Sequence, residues 1–187
     1  MNSLLVTYIL QTEKWTSPEL FETKNRIYTF LNPVSYLIAL ENKSLFEQFD
    51  GIFADGSLLV SAIRLVYGKR VTRRSFDMTS LAPELLNYLM ESRKTLYIVA
   101  SGQEQVECSV RIFQEQYPEL RIAGFRNGYF SSDAEMNKEA SHIVELNPDF
   151  LIVGMGALMQ EKFLLKVKKM GYQASALRVV ALFTKRQ

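Results

Sequence analysis

The stretch TLYIVASGQEQVECSVRIFQEQY, residues 95–117, decides the fold. It opens on a short apolar run that reads as a strand over Thr95–Ala100, closed by Ser101-Gly102. The period then changes. Val106, Val110, Phe113 and Tyr117 recur three and four residues apart, which is one face of a helix over 103–117. The same alternation extends both ways along the chain. Strands are expected over residues 3–10, 26–31, 51–54, 121–124 and 150–153, and helices over 33–41, 58–67, 77–93, 133–146 and 159–170. Pro33 suits a first helical turn, where its missing N–H has no partner in any case. Asp133 reads as an N-cap, and Met159, Phe163, Val167 and Met170 as the apolar face of the last helix, with Lys162, Lys166 and Lys169 turned outward. Strands alternating with helices imply one α/β domain over residues 1–187, a mostly parallel sheet with helices on both faces.

Composition is that of an ordinary globular protein, with 48% hydrophobic and 22% charged residues. The formal net charge of +2 gives no clustered basic surface for nucleic acid. The one cysteine, Cys108, cannot form an internal disulfide, so a reducing, cytoplasmic setting is expected. Cys108 reads as helix packing. The N-terminus lacks the pattern of a signal peptide, and no stretch approaches the ~20 apolar residues that span a bilayer.

In parallel α/β sheets the ligand sits beyond the carboxyl ends of the strands, so each strand-to-helix turn is a candidate site. Asp55-Gly56 ends a strand. Its carboxylate either takes a proton from a hydroxyl substrate or merely caps the next helix. Arg73 and Arg74, in KRVTRRSFD, either pair with a diphosphate or lie in a solvated loop. VGMGALMQEKF, residues 153–163, carries Gly154 and Gly156 after a buried run, where the backbone can approach an anion or simply turn tightly. As a dinucleotide motif it fails, because Met159 stands where the third glycine belongs. His142 has no ligand-spaced partner and reads as a packing or surface residue. With no D-x-D pair, and with lone Cys108 and His142, neither a metal nor a cofactor is expected.

In order along the chain, FLNPVSY (residues 30–36), FADG (53–56), RRSFDMTSL (73–81), LYIVASG (96–102), NGYF (127–130) and VGMGALMQEKF resemble the WecG/TagA/CpsF family of bacterial glycosyltransferases, over about residues 28–172. The resemblance implies a Rossmann-like core. It also implies inverting, metal-independent transfer of an N-acetylmannosamine-type or related sugar from a UDP-sugar to a lipid-linked sugar diphosphate, in cell-surface polysaccharide synthesis. Such enzymes work at the inner face of the cell membrane, with peripheral contact through a C-terminal appendage. Carried over residue by residue, Asp55 is the general base and Gln160 joins it in catalysis. Asn32, Arg73, Arg74, Ser101, Gly102, Gly154, Gly156 and Glu161 fall among the substrate-binding positions, with one arginine of the pair on the nucleotide diphosphate. Two departures stand out. Phe30 occupies a position where the family often has threonine, and Leu158 replaces the proline of G-x-G-x-P-x-Q-E-K.

Beyond Tyr172 the pattern departs from the family altogether. With one choice of synonymous codons, residues 176–187 read from their third base give ITCGGFIHQTA, which resembles the family's continuation. A frameshifted, truncated product is therefore expected. A non-catalytic remnant and, less favoured, a nucleotide-dependent oxidoreductase are the rival readings, and self-association into a homo-oligomer stays open.

Overall fold

The computed structural model describes residues 4–178; the stretch 179–187, where most of the aberrant end falls, lies outside the described residues. Six strands form one sheet: β1 (Ile27–Leu31), β2 (Gly51–Ala54), β3 (Thr95–Ala100), β4 (Arg121–Arg126), β5 (Phe150–Gly154) and β6 (Ser175–Arg178). Their order is β2-β1-β6-β5-β3-β4, and every pairing is parallel. The helices are α1 (Leu4–Thr12), α2 (Ser17–Glu22), α3 (Pro33–Glu41), α4 (Lys43–Phe46), α5 (Ser57–Tyr67), α6 (Leu81–Glu91), α7 (Gln103–Gln116), α8 (Asp133–Leu146) and α9 (Met159–Lys169). They cover both faces. Residues of α1, α3, α5, α8 and α9 pack into one core, and residues of α2, α6 and α7 into the other. The expected Rossmann-like α/β architecture is present.

The first expected strand, over 3–10, is instead helix α1. Its buried residues Leu5, Val6, Ile9 and Thr12 follow helical spacing. The helix lies along β2, and the Thr12 hydroxyl donates to the Ile52 carbonyl at 2.7 Å. That cover explains why β2, at the end of the sheet, is buried at every residue. At the opposite end β4 alternates exposed and half-buried.

Other details also differ from expectation. The helix expected from residue 77 begins at Leu81, because the Asp77 carboxylate folds back onto the Thr79 N–H and hydroxyl, a turn that competes with helix. Helix α8 is capped by Ser132, whose hydroxyl accepts from the Glu135 N–H, and not by Asp133. Helix α9 leaves Met159 and Met170 exposed at 44% and 40%, and buries Gln160, Glu161, Phe163, Leu164, Leu165 and Val167. Its inward face is set by its contacts with β1, β5, β6 and α8.

Candidate functional site

The carboxyl ends of the strands bring the expected turns to one edge of the sheet. Asp55 follows β2 directly, and its N–H donates to the Leu31 carbonyl at 2.8 Å, prolonging the β1–β2 ladder. Its side chain is held in a residue only 8% exposed. The N-cap of α5 is Gly56 at φ 89°, so Asp55 precedes the cap and does not occupy it. Asn32 follows β1, and its side-chain carbonyl accepts from the Ser35 N–H at 2.9 Å, closing a reciprocal cap on α3.

The adjacent arginines have different surroundings. Arg73 is engaged: its Nη2 donates to the Ser75 hydroxyl at 2.8 Å and to Asp77 Oδ2 at 3.2 Å. Burial pushes the Asp77 carboxyl up, but hydrogen bonds from Thr79 and Ser75, with the Arg73 charge, outweigh it and hold the group below its ordinary value. Arg74 is tied by its backbone, whose N–H donates to the Ala54 carbonyl at 2.9 Å, one residue before Asp55. Its guanidinium lies over the Phe53 ring at 5.5 Å. Arg74 Nη1 is buried and has no hydrogen-bond partner among the described residues. A buried donor left unsatisfied costs about 1–3 kcal/mol, so this guanidinium nitrogen is a candidate for taking up an anion.

Phe30 faces this side of the sheet, stacked on Phe53 at 5.1 Å and close to Phe76. The pleat turns the neighbouring Thr29 to the opposite face. There its hydroxyl donates to Glu161 Oε1 at 3.1 Å. Glu161 is fully buried, and its other oxygen accepts from the Leu158 N–H at 2.7 Å. Gln160, also buried, accepts from the Met155 N–H at 3.3 Å. These two side chains therefore brace the 154–158 turn from beneath.

The second cluster lies across the sheet, where β3 and β5 are neighbours. β3 connects outward to β4, and β5 connects back to β6, so this pair is the switch point where ligands bind in doubly wound sheets. The Ser101 N–H donates to the Gly154 carbonyl at 3.0 Å, and Gly102 stands at the N-cap of α7. The NGYF segment closes over both turns. A Cβ on Gly128 would come within 2.9 Å of Met155 Cγ, so a larger residue here would have to displace the Met155 side chain. Asn127 Nδ2 donates to Gln103 Oε1 at 3.0 Å, and Phe130 packs on Phe163 at 5.3 Å. Arg126 pins the segment, donating to the Tyr129 carbonyl and to Glu135 Oε1, with its guanidinium 4.0 Å above the Phe130 ring. Hydrogen bonds from the Ser131 hydroxyl and N–H, with Arg126, hold the Glu135 carboxyl at about 2.

Thr29 and Asn127 went unassigned from sequence. Asn127 lies inside a motif that carried the resemblance, whereas Thr29 meets Glu161 only through a contact spanning 132 residues. The two clusters sit on one edge, the first at the ends of β2 and β1 and the second at the ends of β5 and β3, with β6 between them. At ~4.8 Å per strand, the ends of β2 and β3 lie roughly 19 Å apart. Such a distance suits an extended ligand engaged at both ends. His142 is an exposed residue of α8, edge-on to Tyr97 at 6.0 Å.

Leu158 has φ 68°, a conformation closed to proline. Leu158→Pro, although it restores the residue usual at this place in the resembling family, is expected to destabilise the fold by more than about 1 kcal/mol, through backbone conflict and loss of the N–H that Glu161 accepts. Urea unfolding measures this, and equal or raised stability would refute the geometry of the turn.

The model of the glycosyl transferase WecG/TagA/CpsF family matches residues 10–184. A UDP-Gal:alpha-D-GlcNAc-diphosphoundecaprenol beta-1,4-galactosyltransferase of Shigella boydii is 31% identical over 142 residues, covering 76% of this chain and 59% of that protein. An N-acetylglucosaminyldiphosphoundecaprenol N-acetyl-beta-D-mannosaminyltransferase of Bacillus subtilis is 24% identical over 168 residues, covering 88% of this chain and 62% of that one. The chain thus spans about three-fifths of the length of these curated relatives. With a match over nearly its whole length, the chain belongs to the WecG/TagA/CpsF family of glycosyl transferases.

Proposed function

We propose that the chain is the core of a glycosyltransferase that moves a hexose from a UDP-sugar to a lipid-linked N-acetylglucosamine diphosphate in cell-surface polysaccharide synthesis. The observation that carries this reading is the buried, unpartnered Nη1 of Arg74, fastened by its own backbone to the end of the strand that presents Asp55. An arginine so placed suits a diphosphate, whose oxygens accept its fork of donors. The relatives' names span galactose and N-acetylmannosamine, so the donor is assigned as a UDP-hexose, with an N-acetylmannosamine-type sugar one member of that class.

In the proposed reaction the acceptor hydroxyl attacks the anomeric carbon. The bond from that carbon to the UDP oxygen breaks with inversion, and UDP leaves with the electron pair. Asp55 takes the hydroxyl proton, for which it must come within about 3 Å of that oxygen. The Arg74 guanidinium, with first-turn N–H groups at the Ser101-Gly102 and Gly154-Gly156 turns, stabilises the charge on departing UDP without a divalent metal. Asn32 borders the acceptor side. Gln160 and Glu161 act through the glycine turn they brace. The work is placed on the cytoplasmic side, at the inner face of the membrane, where a lipid-linked acceptor is presented.

Calorimetry with UDP tests the reading. Arg74→Ala is expected to weaken UDP by about 1.5–3 kcal/mol, the worth of a hydrogen bond to a charged group. Arg73→Ala is expected to change it little, because Arg73 is already spent on Ser75 and Asp77. Binding is expected to persist in EDTA. A strict need for Mg²⁺ or Mn²⁺ would refute the metal-free mechanism, and an unchanged affinity in Arg74→Ala would remove the arginine from the site.

A further inference from the structure

Arg126 ends β4, and all three of its side-chain nitrogens are engaged. Nε donates to the Asn127 carbonyl at 2.9 Å, and Nη2 to the Tyr129 carbonyl at 2.8 Å and to Glu135 Oε1 at 3.1 Å. Nη1 lies 3.7 Å from Glu139 Oε2, and the flat of the group covers the Phe130 ring. One guanidinium thus touches three of the four residues of NGYF. A lysine could not reproduce this, because a rigid fork of donors is what reaches separate acceptors at once. The fourth residue, Gly128, is the one that meets the neighbouring turn: its N–H donates to the Ser101 carbonyl at 2.8 Å.

The guanidinium is itself held from β3. Glu139, on α8, is mostly buried at its side chain, and its other oxygen accepts from the Tyr97 hydroxyl at 2.7 Å. Burial first, and then the bond to Glu139 and its charge, raise the Tyr97 phenol, so it stays a donor. A Cβ on Gly124 would come within 2.5 Å of the Tyr97 ring, so the bare backbone of β4 leaves that ring its place. Tyr97, Glu139 and Arg126 therefore form one chain from the interior of the sheet to the NGYF segment. The far end of the chain meets a strained residue. Ser101 has φ 53°, in the left-handed region, which a residue with a side chain keeps only where its surroundings fix it. Both of its backbone groups are fixed, the carbonyl by the Gly128 N–H and the N–H by the Gly154 carbonyl at 3.0 Å.

We propose that Arg126, oriented by Glu139 and Tyr97, is a positioning residue for donor binding: through Gly128 it holds Ser101 in its left-handed conformation, and so fixes the Ser101-Gly102 turn against Gly154. None of the three is assigned to the donor itself. They set the turn before the ligand arrives, so that binding need not order it. Without the fork the segment lifts, the Ser101 carbonyl loses its donor, and residue 101 relaxes toward an ordinary conformation. The first-turn N–H groups of α7 then lose their aim at the diphosphate. The effect on the donor rests on the transferase reading; the placing of the segment does not.

The test pairs UDP calorimetry with amide hydrogen exchange on the full chain, for Arg126→Lys and Glu139→Gln. Both changes nearly keep size, and the first keeps charge. Each is expected to weaken UDP at least about fivefold, the low end of couplings between separate groups. Exchange is expected to quicken over residues 127–131 and 101–102, with β5 and α9 as protected as in the parent. A Ser101→Gly background separates positioning from general support. There Arg126→Lys is expected to weaken UDP by no more than about twofold, because glycine holds a positive φ unaided. Undiminished UDP affinity in both variants overturns the proposal. So does faster exchange spread over every element, or the same loss in the Ser101→Gly background, since either would make Arg126 a general structural residue. Failure of the parent to bind UDP would count against the transferase reading, and exchange over 127–131 would still decide whether Arg126 and Glu139 place the segment.

Discussion

Asp55→Asn is expected to lower turnover by about 10²-fold or more while leaving UDP affinity nearly unchanged. The amide keeps the shape of the carboxylate and its capacity to accept a hydrogen bond, but it cannot take a proton at neutral pH. Fold effects should be small, because Gly56 and not Asp55 occupies the N-cap of α5. UDP affinity should hold because the proposal assigns the diphosphate to Arg74 and the glycine turns, and the acceptor hydroxyl to Asp55. The measurement is steady-state transfer to a lipid-diphosphate acceptor, beside calorimetry with UDP on the same preparation. Turnover equal to that of the parent would reduce Asp55 to a structural residue of the β2–α5 turn. A parallel loss of UDP affinity would place it on the donor.

The largest expected effect on stability is at Phe163. The ring is fully buried in α9 and packs against Phe130 at 5.3 Å. Phe163→Ala is expected to cost about 3–5 kcal/mol, the transfer term of a lost aromatic ring plus the cavity it leaves. Against a total of about 5–15 kcal/mol, the variant would unfold at a much lower urea concentration. Phe130 would lose its support from below, so the segment pinned by Arg126 over the Ser101 and Met155 turns should loosen, and UDP should bind more weakly even where the protein stays folded. A loss under about 1 kcal/mol would mean that α9 is not seated on this ring.

Much of the fold was legible in the sequence because its strands are short apolar runs bounded by turns, as at Thr95–Ala100 and Phe150–Gly154. Buried strands of a parallel sheet read as continuous apolar segments. The same rule misled at residues 3–10, where an apolar run of strand length is a helix. Periodicity over so few residues does not separate the two, and the deciding contact, Thr12 to the Ile52 carbonyl, lies 40 residues away. The site was legible as a set of turns. Glycine, asparagine and aspartate at strand ends carry their own turn chemistry, and the family pattern located them. The division of labour between Arg73 and Arg74 was not legible, since it depends on which side chain reaches Ser75 and Asp77 and which lies over Phe53. Nor was the burial of Gln160 and Glu161, because a polar pair in a helical pattern ordinarily reads as solvent-facing. Their carboxamide and carboxylate hold backbone N–H groups of a turn that no local rule specifies.

The strand that completes the sheet is the last one described, and it lies in the middle. β6 separates β1 from β5, and its Ala176 stands opposite Ile27 across roughly 150 residues of chain. On the ribosome, β1 and β2 therefore emerge long before the strand that joins them to the rest. At ~5–20 residues per second the wait is roughly 8–30 s. Throughout it, the inner edge of β1 presents unpaired backbone groups in a run of wholly buried-type residues, the kind of edge that recruits stray strands. The sheet is complete only once β6 lies between β1 and β5.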